Sequence, residues 1–143
     1  MAKYSFSEAD MRSAFIAGYQ KVGRELCVEV PVFCRSVDLV AYDKKKQEIT
    51  AIEFKLGNWK RAVLQAMQVA CCFDFLAICI PHPATTRGRN SVLSGCNEYG
   101  IGVFFYNSEQ HTFEEALMPQ HISEIWEVQK KRVLEYLGGI DNE

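Results

Sequence analysis

The chain has 143 residues, six cysteines and a formal net charge of −2. That length suits one domain with its own core, residues 1–143, and a charge this close to neutral counts against a tight, non-specific nucleic-acid binder, which needs a clear basic surplus. No apolar run approaches the roughly 20 residues that span a bilayer, and the first residues lack the apolar centre of a signal peptide. The expected setting is therefore the cytoplasm, with no membrane partner.

In chain order, Ser7 caps a first helix, with Asp10 three residues on as its capping-box partner. Met11, Phe15, Ile16, Tyr19 and Val22 recur at helical spacing, and Gly23 closes the element. Leu26 to Phe33 reads as a first strand, Val37 to Asp43 as a second and Ile49 to Lys55 as a third, all rich in branched and aromatic residues. The polar stretch from Lys44 to Glu48 joins the last two as a hairpin. Asn58 caps a second helix with Trp59, Ala62, Val63, Ala66, Val69 and Ala70 along its apolar stripe. Phe73 to Ile80 is almost continuously apolar, as expected of a strand covered on both faces. Residues 81–89 form a loop with two prolines, followed by a short helix over 91–99 and a strand over 103–106. Ile122, Ile125, Trp126, Gln129, Val133 and Leu137 trace a face of a final helix, within a helical extension over about 113–138.

The order α-β-β-β-α-β-α-β-α implies an α/β fold. Both faces of the hairpin carry apolar residues: Val37, Leu39, Ala41, Ile52 and Phe54 on one, Val40, Tyr42, Ile49 and Ala51 on the other. Helices must cover both, which gives a three-layer α/β/α sandwich with a mixed central sheet. The third and fourth strands, joined by a crossover helix, run parallel. Their C-terminal ends share an edge, where ligands bind in open α/β sheets. The loop carrying Arg87 and Arg89 opens there, and the first helix brings Glu8 to the same edge.

A hairpin centred on Lys45 and Lys46 sets Asp38 opposite Glu53, with Cβ atoms roughly 5 Å apart. Lys55, two residues on, shares the face of Glu53 by strand alternation. Facing carboxylates repel, so a sheet gains nothing structurally from the pair. A hard cation removes the penalty, and magnesium takes one or two carboxylates together with water and substrate phosphate. A lysine beside such an ion can hold an attacking water or stabilise charge developing on a phosphate. The pattern therefore suits metal-dependent cleavage of a phosphodiester. The bland alternative is an exposed hairpin with surface charges, which the apolar flanks disfavour.

The cysteines at 27, 34, 71, 72, 79 and 96 form no C-x-x-C pair, and most sit in apolar stretches. They are expected to be reduced core thiols. His82, His111 and His121 have no ligand-like spacing to one another.

The stretches Val37-Asp38-Leu39-Val40 and Ile52-Glu53-Phe54-Lys55-Leu56, with the helix from Trp59 to Ala66, resemble the PD-(D/E)xK nuclease superfamily, the restriction-endonuclease-like fold. The likeness covers about residues 5–106, whose order αβββαβ matches that superfamily's core, and is to small standalone bacterial members of unestablished substrate. It implies Asp38 and Glu53 as magnesium ligands, with manganese able to substitute. It also implies Lys55 as catalytic lysine, Gln65 as the auxiliary polar residue on the crossover helix, and Glu8 as the acid of the first helix. Val37 stands where many members carry proline. Glu8 equally suits the dipole of a helix N-terminus, Gln65 a solvated face, and the arginines an ordinary loop. The expected substrate is DNA, contacted by Arg87, Arg89, Lys60 and Arg61. The alternative is a catalytically inactive DNA-binding or protein-interaction domain that keeps the fold. The final helix is expected to serve a homodimer or a docking partner.

Overall fold

Ser7 and Asp10 cap one another: the Ser7 hydroxyl accepts the Asp10 N–H at 3.0 Å, and the Asp10 carboxylate accepts the Ser7 N–H at 2.9 Å. They open helix α1, Glu8–Gly18, in the computed structural model, which describes residues 4–19 and 23–141. The helix stops at Gly18, a poor helix former, and Tyr19 is already extended. Gly23 instead lies at positive φ (78°) just before the first strand; Val22 lies outside the described residues.

Strands β1 (Arg24–Val32), β2 (Arg35–Asp43) and β3 (Glu48–Phe54) form an antiparallel meander. Asn58 then caps α2, Trp59–Gln68, by accepting the Arg61 N–H. A single 3-10 turn, Ala70–Cys72, leads into β4, Phe75–Pro81, which pairs parallel to β3 as a crossover connection requires. Helix α3 spans Thr86–Glu98, β5 Gly102–Asn107, β6 Thr112–Leu117 and α4 Glu127–Asp141. The described residues form a mixed six-stranded sheet in the order β1-β2-β3-β4-β5-β6, with four α-helices.

Two apolar clusters flank the sheet. The larger joins Val40, Tyr42, Ile49, Ala51 and Ile78 to Ala62, Val63 and Ala66 of α2, Val92 and Cys96 of α3, and Val133 and Leu137 of α4. The smaller joins Leu39, Ala41, Ile52, Phe54 and Phe104 to Met11 and Phe15 of α1. Phe15 anchors it, its ring 5.0–5.5 Å from those of Phe54, Phe104 and Phe113.

Four expectations change. Val37 packs in the larger cluster with Val30 and Val32, so β2 breaks strict alternation before Leu39. The break coincides with left-handed backbone at Glu29 (φ 50°), opposite Asp38 along the β1–β2 register. Residues 86–89 are helical rather than loop: Thr85 caps α3 by accepting the Gly88 N–H at 3.0 Å. Residues 112–117 form an edge strand, not the start of a helical extension, and the final helix begins only at Glu127. Trp126, read as part of the final helix, precedes it and is 63% exposed. None of the six cysteines is in a disulfide; Cys72, Cys79 and Cys96 are buried and Cys34 is exposed.

Candidate functional site

The β2–β3 register pairs Leu39 with Ile52 and Val40 with Ala51, so its next step sets Asp38 across from Glu53. There the ladder gives way to a side-chain contact: the Asp38 carboxylate accepts the Phe54 N–H at 2.8 Å. Lys55 follows the strand, its N–H bonded to the Cys79 carbonyl of β4 at 3.1 Å. The Glu8 carboxylate accepts the Leu56 N–H at 3.2 Å, which ties the start of α1 to the chain leaving β3. Glu8, Asp38, Glu53, Lys55, Arg61 and Gln65 line one open cleft of about 440 Å³, with Arg35, Ser36 and Gln68.

Glu53 is 1% exposed. Burial, and then the charge of Asp38, push its carboxyl from the usual range up to about 8, although the Arg35 guanidinium pulls the other way. Arg35 donates to a Glu53 oxygen at 3.0 Å, to the Gln65 carbonyl at 2.9 Å and to the Gln68 side chain at 2.8 Å. Sequence reasoning missed this arginine. Strict alternation from Asp38 sends residue 35 to the other face, and only the local break in β2 brings it to α2.

The four cations assigned to nucleic acid separate. Arg61 lies in the cleft. Lys60 and Arg87 line a neighbouring groove between α2 and α3, floored by Trp59 against Gly95. That floor requires glycine, because a Cβ at position 95 would lie 2.6 Å from the indole. Arg89 reaches neither. Its guanidinium is taken up by Glu114 of β6, with one bond of 2.9 Å, and stacks 4.9 Å from the Phe105 ring centroid.

Among the described residues no cluster of three or more His, Cys, Asp or Glu side chains is placed to hold a metal. Asp38 and Glu53 still fit a hard cation, since magnesium draws on one or two carboxylates and completes its shell with water and phosphate. Burial and the Asp38 charge, which raise the Glu53 carboxyl, are both offset by such an ion. A nitrogen- and sulfur-preferring ion such as zinc finds no such ligand set here. No described helix is long and apolar enough to cross a membrane.

No protein-family profile and no curated protein matches the chain. Among solved structures it is similar to a protein of unknown function from Silicibacter pomeroyi, with a TM-score of 0.69 and 14% identity over 97% of this chain and 89% of that one. A repair endonuclease from Pyrococcus abyssi overlaps more loosely, with a TM-score of 0.48 and 18% identity over 72% of this chain and 48% of that one. The first likeness, over nearly the full length of both chains, is one of α/β fold.

Proposed function

We propose that the protein is a metal-dependent nuclease that hydrolyses phosphodiester bonds in DNA, built on a restriction-endonuclease-like three-layer sandwich. The observation that carries this reading is the cleft in which Asp38 and Glu53 face each other beside Lys55. A surface cleft that merely needed solubility has no use for a carboxylate buried against another carboxylate.

Asp38 and Glu53 would hold magnesium or manganese, and the ion, when bound, supplies Lewis-acid stabilisation of charge on the phosphate. Lys55 has no ion pair among the described residues, so its ammonium is free to orient a water or to meet charge growing on a phosphate oxygen. The Glu8 carboxylate and the Gln65 side chain border the same space and can accept or donate hydrogen bonds to that water. Arg61 offers the backbone a guanidinium, whose fork matches phosphate oxygens. Lys60 and Arg87 extend the basic track into the groove between α2 and α3, with Arg89 outside it.

One observation favours a non-cleaving DNA-binding protein instead: Arg35 already supplies Glu53 with a cation. Supercoiled plasmid incubated with magnesium or manganese decides between the two. The nuclease reading expects nicking that EDTA and Lys55→Ala both abolish. Binding without nicking under every condition favours the second reading.

A further inference from the structure

Arg35 is the one cation bonded to the buried Glu53 carboxylate among the described residues. Its remaining acceptors, the Gln65 carbonyl and the Gln68 side-chain oxygen, are neutral. Its Nε–H is buried without a partner, and an unpaired buried donor carries a desolvation cost. The guanidinium is thus held inward chiefly by its bond to the Glu53 carboxyl. Its side chain is 23% exposed and lines the cleft, so a path outward is open.

We propose that Arg35 is a displaceable partner of Glu53, which occupies that carboxyl in the metal-free protein and turns to the nucleic-acid phosphate when a divalent cation takes its place. This rests on the reading of the cleft given above. A divalent ion on Glu53 cancels the attraction that holds the guanidinium and repels it at short range. The acceptor of highest charge then within reach is a phosphate in the same cleft, which an arginine fork fits well. Cation and nucleic acid therefore bind cooperatively, each raising the affinity for the other by the same factor.

The test uses the full chain carrying Lys55→Ala, so that a DNA duplex stays intact, with and without Arg35→Gln. Fluorescence anisotropy gives the salt dependence of binding in EDTA and in millimolar magnesium. In EDTA the two proteins should share one log–log slope, because Arg35 is held by Glu53. In magnesium the protein with Arg35 should be steeper by about 0.9, one phosphate contact. Arg35→Lys, which keeps the charge, should retain that gain. Equal slopes in magnesium, or the same deficit in EDTA, overturn the proposal. Should Arg35→Gln fail to fold, the native chain still decides. Exchange of the Arg35 Nε–H with solvent should quicken at least tenfold when magnesium is added, and an unchanged rate overturns the proposal. Absence of duplex binding by the native chain with or without magnesium overturns the nucleic-acid reading of the cleft, and this proposal with it.

Discussion

Glu53 and Asp74 are the two charged side chains that are buried among the described residues, at 1% and 2% exposure, and they are housed in opposite ways. Asp74 precedes β4, at the far edge of the sheet. One of its oxygens accepts the Ile49 N–H at 2.8 Å; the other accepts Lys130 at 2.9 Å, with His121 at 3.3 Å. Its carbonyl and N–H are also used, by Ile122 and Ile49. The bonds from Lys130, His121 and Ile122 tie the C-terminal segment to the sheet, and the two with Ile49 fix Asp74 on β3. Glu53 faces a second acid and shares its single arginine with α2. Burial with partners pins a fold; burial against a like charge creates a demand for a cation. The difference separates a structural acid from a candidate catalytic one.

The largest effect that would sharpen this contrast is on stability. Asp74→Ala leaves Lys130 partly buried and unpaired, and should cost about 3–5 kcal/mol. Urea melts should register it, while any response to magnesium in the surviving folded protein stays unchanged. A loss below about 1 kcal/mol would erase the distinction between the two acids.

The two lysines should behave in mirror image. Lys55→Ala should lower cleavage by at least about 100-fold, near 3 kcal/mol of transition-state stabilisation, with a melting temperature within about 1 °C of the parent. Lys130→Ala should lower the melting temperature by several degrees and leave cleavage per folded molecule intact. Plasmid nicking beside thermal melts checks both.

A smaller effect appears in the pH dependence of the metal-free protein. Glu53 titrates at about 8 when folded, against 4.5 in the unfolded chain. The folded state therefore holds this proton more tightly, and the contribution is fully present below pH 4.5. It fades as pH rises towards 8, because the unfolded state binds fewer protons in that window. Comparison of the parent with Glu53→Gln isolates it: from pH 5 to 8 the parent should lose about 1–3 kcal/mol relative to the variant. Parallel curves would mean that Arg35 keeps Glu53 fully ionised.

The contrast was half legible in the sequence. Lys44 to Glu48 admits only a turn between two branched strands, so the register that opposes Asp38 and Glu53 follows from counting. The caps at Ser7 and Asn58 follow from residue type, and the crossover rule places β4 beside β3. Arg35 was hidden because its placement depends on a local break in alternation, which no pattern announces. Asp74 was hidden because its partners arrive from Lys130, 56 residues away, and from His121. Strand β6 was masked by Glu114 and Glu115, both of which stay exposed on an edge strand. The start of α3 was masked by Gly88 in the first turn and by the prolines before it. Local chemistry was readable; contacts closed by tertiary packing were not.

On the proposed reading, Asp38 and Glu53 are opposed in order to hold a divalent cation. Thermal melts of the parent and of Asp38→Asn, in EDTA and in millimolar magnesium, test it most directly. Asparagine keeps an oxygen for the Phe54 N–H and removes the repulsion. The variant should therefore melt about 3 °C above the parent in EDTA, a gain near 1 kcal/mol. Magnesium should raise the parent's melting temperature, because it binds the folded state, and should leave the variant unmoved. A parent indifferent to magnesium, or a variant less stable than the parent in EDTA, would mean that the two acids are not opposed for a cation.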